Sequence, residues 1–183
     1  MKLVIIEGPT STGKSTLARK LAKDLDIAMF LKDDYKEKEF DSAGRSPNVK
    51  QWTRIEKTSW QQVLAAIKTA VETNKSLIVE GNFFPSHGPK IKALLHTDTV
   101  IVEIFCYARG LTILKRYVRR NRSGERHKGH RDHLWYPVVA LEAFGLGKHY
   151  RPLKLSSNLL RVNTTDFDAV DYEAICQFIE NAQ

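Results

Sequence analysis

The chain has 183 residues, 42% hydrophobic and 27% charged, with a formal net charge of +8. This length and balance are ordinary for a soluble globular protein and fit one domain, residues 1–183, with a sizeable core. No apolar run reaches membrane-spanning length, residues 3–6 are too short for a signal core, and Cys106 and Cys176 lie far apart. A membrane span and a disulfide framework are therefore excluded, and a cytoplasmic protein is expected.

In chain order, "KLVII" reads as a buried strand and residues 15–24 as a helix. "IAMFL" is a second strand that runs into the charged stretch "KDDYKEKEFD". Residues 41–52, with Gly44, Pro47 and Trp52, read as a loop or small insertion. Ile55, Val63, Leu64, Ile67 and Val71 keep helical spacing. "SLIVEGN" is a third strand, "PKIKALLH" a short helix and "TVIVEIFCY" a fourth strand. A basic helix follows over residues 110–121, then the polar "RSGERHKGHRDH", then a helical "LWYPVVALEAF". "LLRVN" is a fifth strand, and Asp168 is placed to cap a last helix with Val170, Ala174, Ile175, Phe178 and Ile179 on its apolar face. Strands alternating with helices predict an α/β fold of three layers, a parallel sheet covered on both faces.

"GPTSTGKS" matches the phosphate-loop pattern G-x-x-x-x-G-K-[ST], between a strand and a helix as that loop requires. Glycines let the backbone wrap closely, so successive N–H groups face phosphate oxygens, and the helix dipole adds to the attraction. Gly8, Pro9, Thr10, Ser11, Thr12 and Gly13, with Lys14, Ser15 and Thr16, form the expected nucleotide-binding set. Lys14 reaches the β- and γ-phosphates and the Ser15 hydroxyl ligates Mg²⁺. The guanine signature asparagine–lysine–x–aspartate is absent, which disfavours a GTPase, and the chain is short for a motor.

Acids at strand ends supply the rest of the chemistry. A carboxylate after the second strand faces the phosphate loop across the sheet edge and can take a proton from an attacking hydroxyl. Asp33 is the choice for that base, with Asp34 as reserve because adjacent side chains diverge. Glu80, ending the third strand, is a Mg²⁺ partner or water-orienting acid, and the acceptor pocket is expected from residues 35–52 and 82–87, with Tyr35, Asn82 and Phe83 as candidates.

Between Arg109 and His133 stand nine lysines and arginines against two acids, Glu125 and Asp132, so almost the whole charge excess is local. Such a cluster favours a compact polyanion such as a triphosphate, with nucleic acid as the alternative. Arg116, Arg120 and Arg126 are expected to meet the transferring phosphoryl, because guanidinium groups suit its spread charge. His127, His130 and His133 recur at three-residue spacing amid cations, a poor setting for zinc; "RHKGH" is expected to form a lid hinge, with Gly129 giving flexibility, or an acceptor contact.

"GPTSTGKST" followed by "LKDDYK" resembles the P-loop kinases of small molecules, nucleosides and nucleic-acid ends. The likeness is to polynucleotide kinases and to the zeta-toxin and chloramphenicol phosphotransferase-like group of predicted kinases. The resemblance implies a five-stranded sheet of order 2-3-1-4-5 and maps the base onto Asp33. "RYVRR…RSGERHKGH" is similar to the lid of these kinases, here about residues 121–133, with Lys128 standing where the zeta-toxin-like pattern has proline. The resemblance also implies that "VNTTD", through Thr164 and Thr165, contacts adenine. The expectation is an ATP- and Mg²⁺-dependent kinase acting on a small-molecule hydroxyl, nucleoside-like or antibiotic-like. The alternatives are a polynucleotide 5′-hydroxyl kinase and an ATP-binding switch without an acceptor.

Overall fold

The computed structural model describes residues 1–44, 47–124, 126–145 and 151–183. Glu125, within the expected lid, and positions 45 and 46, within the expected loop, lie outside the described residues. Among the described residues, five strands form one parallel sheet: β1 (Lys2–Glu7), β2 (Ala28–Leu31), β3 (Leu77–Glu80), β4 (Val100–Tyr107) and β5 (Leu159–Asn163). Their order is β2-β3-β1-β4-β5, every neighbouring pair parallel. Helices α1 (Lys14–Asp24), α2 (Lys32–Ser42), α3 (Val49–Glu72), α4 (Gly88–Lys92), α5 (Gly110–Ser123), α6 (Asp132–Ala143) and α7 (Tyr172–Asn181) cover its faces.

The two faces of β1 define the layers, because successive residues of a strand point to opposite sides. Val4 and Ile6 pack with Leu17, Leu21, Ile104, Ile175 and Ile179, from α1, β4 and α7. Leu3 and Ile5 face the other way, onto Val63, Ile67, Ile91 and Phe83, mainly from α3 and α4. Both faces are dry, as expected for a parallel sheet of continuous apolar strands. A smaller cluster, Ile113, Tyr117 and Val139, holds α5 against α6.

Three details differ from the sequence reading. "KDDYKEKEFD" is the helix α2, and its inward face is Lys32, Lys36 and Phe40, each at most 6% exposed. Two buried lysines disguise the four-residue spacing that apolar residues would have shown. With α2 reaching Ser42 and α3 beginning at Val49, the connection is short; α3 opens with a capping box of Asn48 and Gln51. The last helix is capped by Asp171, whose carboxylate accepts from Ala174 N at 3.0 Å, and not by Asp168; Ala174 is exposed rather than in the core face.

Candidate active site

The phosphate loop closes over the carboxyl end of β1. Gly13 takes a left-handed φ of 82° at the entry to α1, and a β-carbon there would fall 2.7 Å from the Phe167 ring. The loop is held from within: Thr12 Oγ1 and Lys14 Nζ each donate to Pro9 O at 2.8 Å. From outside, buried Thr164 donates its hydroxyl to Thr12 O at 2.7 Å.

Lys14 is buried with its ammonium 3.9 Å from Glu80, and Ser15 Oγ donates to Glu80 Oε2 at 3.1 Å. Burial pulls the Lys14 ammonium down and pushes the Glu80 carboxyl up, while each partner resists the other's shift. An anion arriving at Lys14 would favour its charged form. The Ser15 hydroxyl and the Glu80 carboxylate are hard oxygen donors set side by side, which fits Mg²⁺. Ser11 Oγ, Arg116 Nη1 and Arg120 Nε are buried without a hydrogen-bond partner among the described residues. Such orphaned groups are costly unless a ligand completes them.

Asp33 and Asp34 diverge. Asp34 points outward and accepts both Arg19 hydrogen bonds, at 2.7 and 2.9 Å, on the surface. Asp33 turns toward Arg126, 2.9 Å away. Burial alone would raise the Asp33 carboxyl; Arg126, with His130 and Lys36, outweighs it and holds the group well below the usual carboxylate range.

The expected lid lies against α2. Arg126 also sits 3.6 Å from Glu37 and 3.4 Å from Asp132, His130 bonds Glu37 at 2.9 Å and His127 lies 3.2 Å from Asp41. Acids of α2, Asp33, Glu37 and Asp41, thus join the lid's own Asp132 as partners of its basic side chains. Gly129 is a packing contact rather than an evident hinge: a β-carbon would fall 2.3 Å from Phe40. His127 and His130 flank that same ring, and His133 is exposed.

The arginines separate. Arg120 lies 3.4 Å from Thr10 Oγ1 in the phosphate loop and 3.7 Å from Asp132. Arg116 instead donates to Thr164 O at 2.8 Å and Thr165 O at 3.3 Å. That turn is already committed: Thr164 N donates to Tyr107 O, and Thr165 Oγ1 accepts from Arg109 N. The Thr164 hydroxyl and the Thr164 and Thr165 carbonyls therefore serve the scaffold, so the adenine contact implied by the resemblance has little left to use there.

A cavity of about 440 Å³ opens between the loop, α2, α3, α5 and α6. Pro9, Thr10, Asp33, Asn82 and Arg126 line it. Two residues expected there do not: Phe83 is 1% exposed within the core, edge-on to Trp60, and Tyr35 stacks with Phe30 beside β2. Phe84, next in the chain, takes the place expected of Phe83. Lys36 and Trp52, within the expected stretch, and His130, within the expected contact segment, also line the cavity, as do Lys32, Glu56, Asp132 and Trp135, which sequence reasoning missed. The four-residue step from Lys32 to Lys36 was the available signal, since it sets both on one helix face.

No family model and no curated protein sequence matches the chain. Solved structures do. A candidate kinase from Chloroflexus aurantiacus j-10-fl superposes with a TM-score of 0.86 at 29% identity, over 100% of this chain and 98% of that one. A sugar kinase from Janibacter sp. HTCC2649 gives 0.59 at 12% identity, over 98% and 91%. A shikimate kinase from Bacteroides thetaiotaomicron gives 0.53 at 14%, over 97% and 96%. The strand order, the loop and these likenesses agree on the P-loop kinase fold, and no helix of the described residues is long and apolar enough to cross a membrane.

Proposed function

We propose that this phosphotransferase moves the γ-phosphoryl group of ATP to a hydroxyl of a small molecule, with Mg²⁺. The observation that carries the reading is the shared wall: Asp33 and the loop residues Pro9 and Thr10 line one cavity. An alcohol placed there meets a carboxylate on one side and the phosphate loop on the other.

Each residue then has a task. The loop amides and Lys14 hold the triphosphate, and Lys14 opposes the charge that grows on transfer. Ser15 and Glu80 would hold Mg²⁺, which when bound neutralises charge on the β- and γ-oxygens. Arg120, beside Thr10, and Arg126, beside Asp33, bring guanidinium charge to the rim where the phosphoryl passes. Asp33 orients the acceptor hydroxyl and takes its proton. Arg116 positions the turn that fastens Thr12. The likeness of motif to the zeta-toxin and chloramphenicol phosphotransferase-like kinases supports a nucleoside-like or antibiotic-like acceptor, and a cytoplasmic setting suits ATP and free thiols.

An oligonucleotide 5′-hydroxyl is the second reading, favoured by Lys115, Arg119 and Arg122, exposed on the outer side of α5. Acceptor-dependent ADP release separates the two. Small alcohols should stimulate it in the wild type and not in Asp33→Asn, whereas stimulation by oligonucleotides alone would favour the second reading.

A further inference from the structure

The acceptor cavity has a chemical character of its own. Resting on the kinase reading above, we infer that the acceptor is an uncharged alcohol with a flat, aromatic or heteroaromatic body, seated against the stacked pair of Trp52 and Trp135, and not a sugar acid or an open polyol.

Shape gives the first argument. Trp52 from α3 and Trp135 from α6 face each other with ring centres 5.9 Å apart and planes 30° apart. Phe84, Ile113, Tyr117, Val138, Val139 and Ala143 continue the lining away from the phosphate loop. Trp135 keeps 43% of its surface exposed in this arrangement, although a large indole gains by burial. A flat ring sliding against these indoles covers that surface and gains offset stacking. The cavity, about 440 Å³, lies toward the small end of the range of roughly 300–1,000 Å³ for small-molecule sites.

Charge gives the second. Lys32 and Lys36 both donate to Glu56, the latter at 2.5 Å. Arg126 is held among Asp33, Glu37 and Asp132, and Arg120 shares Asp132. Along the cavity wall three cations, Lys32, Lys36 and Arg126, thus stand against four carboxylates, Asp33, Glu56, Asp132 and Glu142, and each of the three is already paired. An anionic acceptor would have to break one of these pairs in a partly dry cavity, which costs more than the new contact returns. A polyol needs many polar partners, and the apolar end of the cavity supplies few.

The acceptor therefore carries its hydroxyl at the Asp33 end of the cavity and its ring against the indoles.

The test offers the protein, with ATP and Mg²⁺, three groups of alcohols: adenosine, tryptophol and phenylethanol; glucose and glycerol; and gluconate. ADP release should be at least about tenfold more efficient with the best ring-bearing alcohol than with the other groups. Trp52→Ala and Trp135→Ala should each raise KM for that alcohol about tenfold with little change in kcat, as loss of one stacking partner implies. Leu141→Ala, exposed on α6 outside the cavity, should leave KM unchanged. Preference for gluconate or glucose, or an unchanged KM in both tryptophan variants, overturns the inference. If ring-bearing alcohols quench tryptophan fluorescence in the wild type but no alcohol releases ADP, the ligand class stands and the kinase reading falls.

Discussion

Residues 8–16 supply the phosphate loop from consecutive positions, whereas the acceptor cavity collects its walls from α2, α3, α5, α6 and the residues after β3. The loop works through backbone geometry, fixed locally by Gly13, Pro9 and Thr12. The cavity works through side chains that meet only after folding, as Trp52 meets Trp135 and Arg126 meets Asp33. The nucleotide end can therefore keep one design while the acceptor end is rebuilt by changing a few separated positions. Loops and rims on a fixed scaffold are where substrate choice varies in such folds.

If the loop end is the part indispensable to chemistry, Lys14→Ala should show the largest effect: a fall in kcat of about 10³-fold. Steady-state ADP release from the folded variant checks it, and near-normal turnover would remove the loop's assigned role. The acceptor end should follow. Asp33→Asn should lower kcat about 10²-fold with ATP affinity little changed, while Asp34→Asn, breaking only an exposed pair with Arg19, should stay near wild type. A reversed pattern would mean that the neighbours had been exchanged.

Smaller effects concern what joins the ends. Gly129→Ala should destabilise by about 1–3 kcal/mol, because the new methyl meets the Phe40 ring that anchors the basic segment to α2. Urea titration would read this as a lower midpoint at unchanged slope. Beneath the loop, Glu7 accepts from Leu153 N at 3.0 Å and Glu103 takes the amides of Lys154, Leu155 and Ser156. Burial pushes the Glu7 carboxyl up to about 8, with the Leu153 bond opposing and Glu103 adding to the rise. The folded state thus binds a proton that the unfolded chain releases near the ordinary value of 4.5, so stability from this group falls as pH rises from there to about 8. Glu7→Gln should flatten the dependence of Tm on pH across that window; an unchanged slope would contradict the shift.

The same contrast explains what could be read in advance. The strands and the loop were legible because both rest on short-range signals: apolar runs, glycines, and Lys14 and Ser15 at fixed spacing; the strand order followed only from the resemblance that those motifs carry. Phe83 and Phe84 show the limit. Nothing in "GNFFP" tells which ring enters the core and which the cavity, since that follows from packing against Trp60. Lys32 and Lys36 read as surface charges until Glu56, two dozen residues onward, is seen to take both. Arg116 matched a lid arginine in sequence, yet its reach to the Thr164 and Thr165 carbonyls depends on β5 lying beside β4.

The central claim is that the loop and Asp33 serve one transfer reaction. ATP labelled on its γ-phosphate, incubated with Mg²⁺ and a mixture of ring-bearing alcohols, tests it most directly. The label should appear on an alcohol with the wild-type protein and nearly vanish from it with Asp33→Asn. Label released only as inorganic phosphate, or carried to the alcohol equally by both proteins, would contradict the claim.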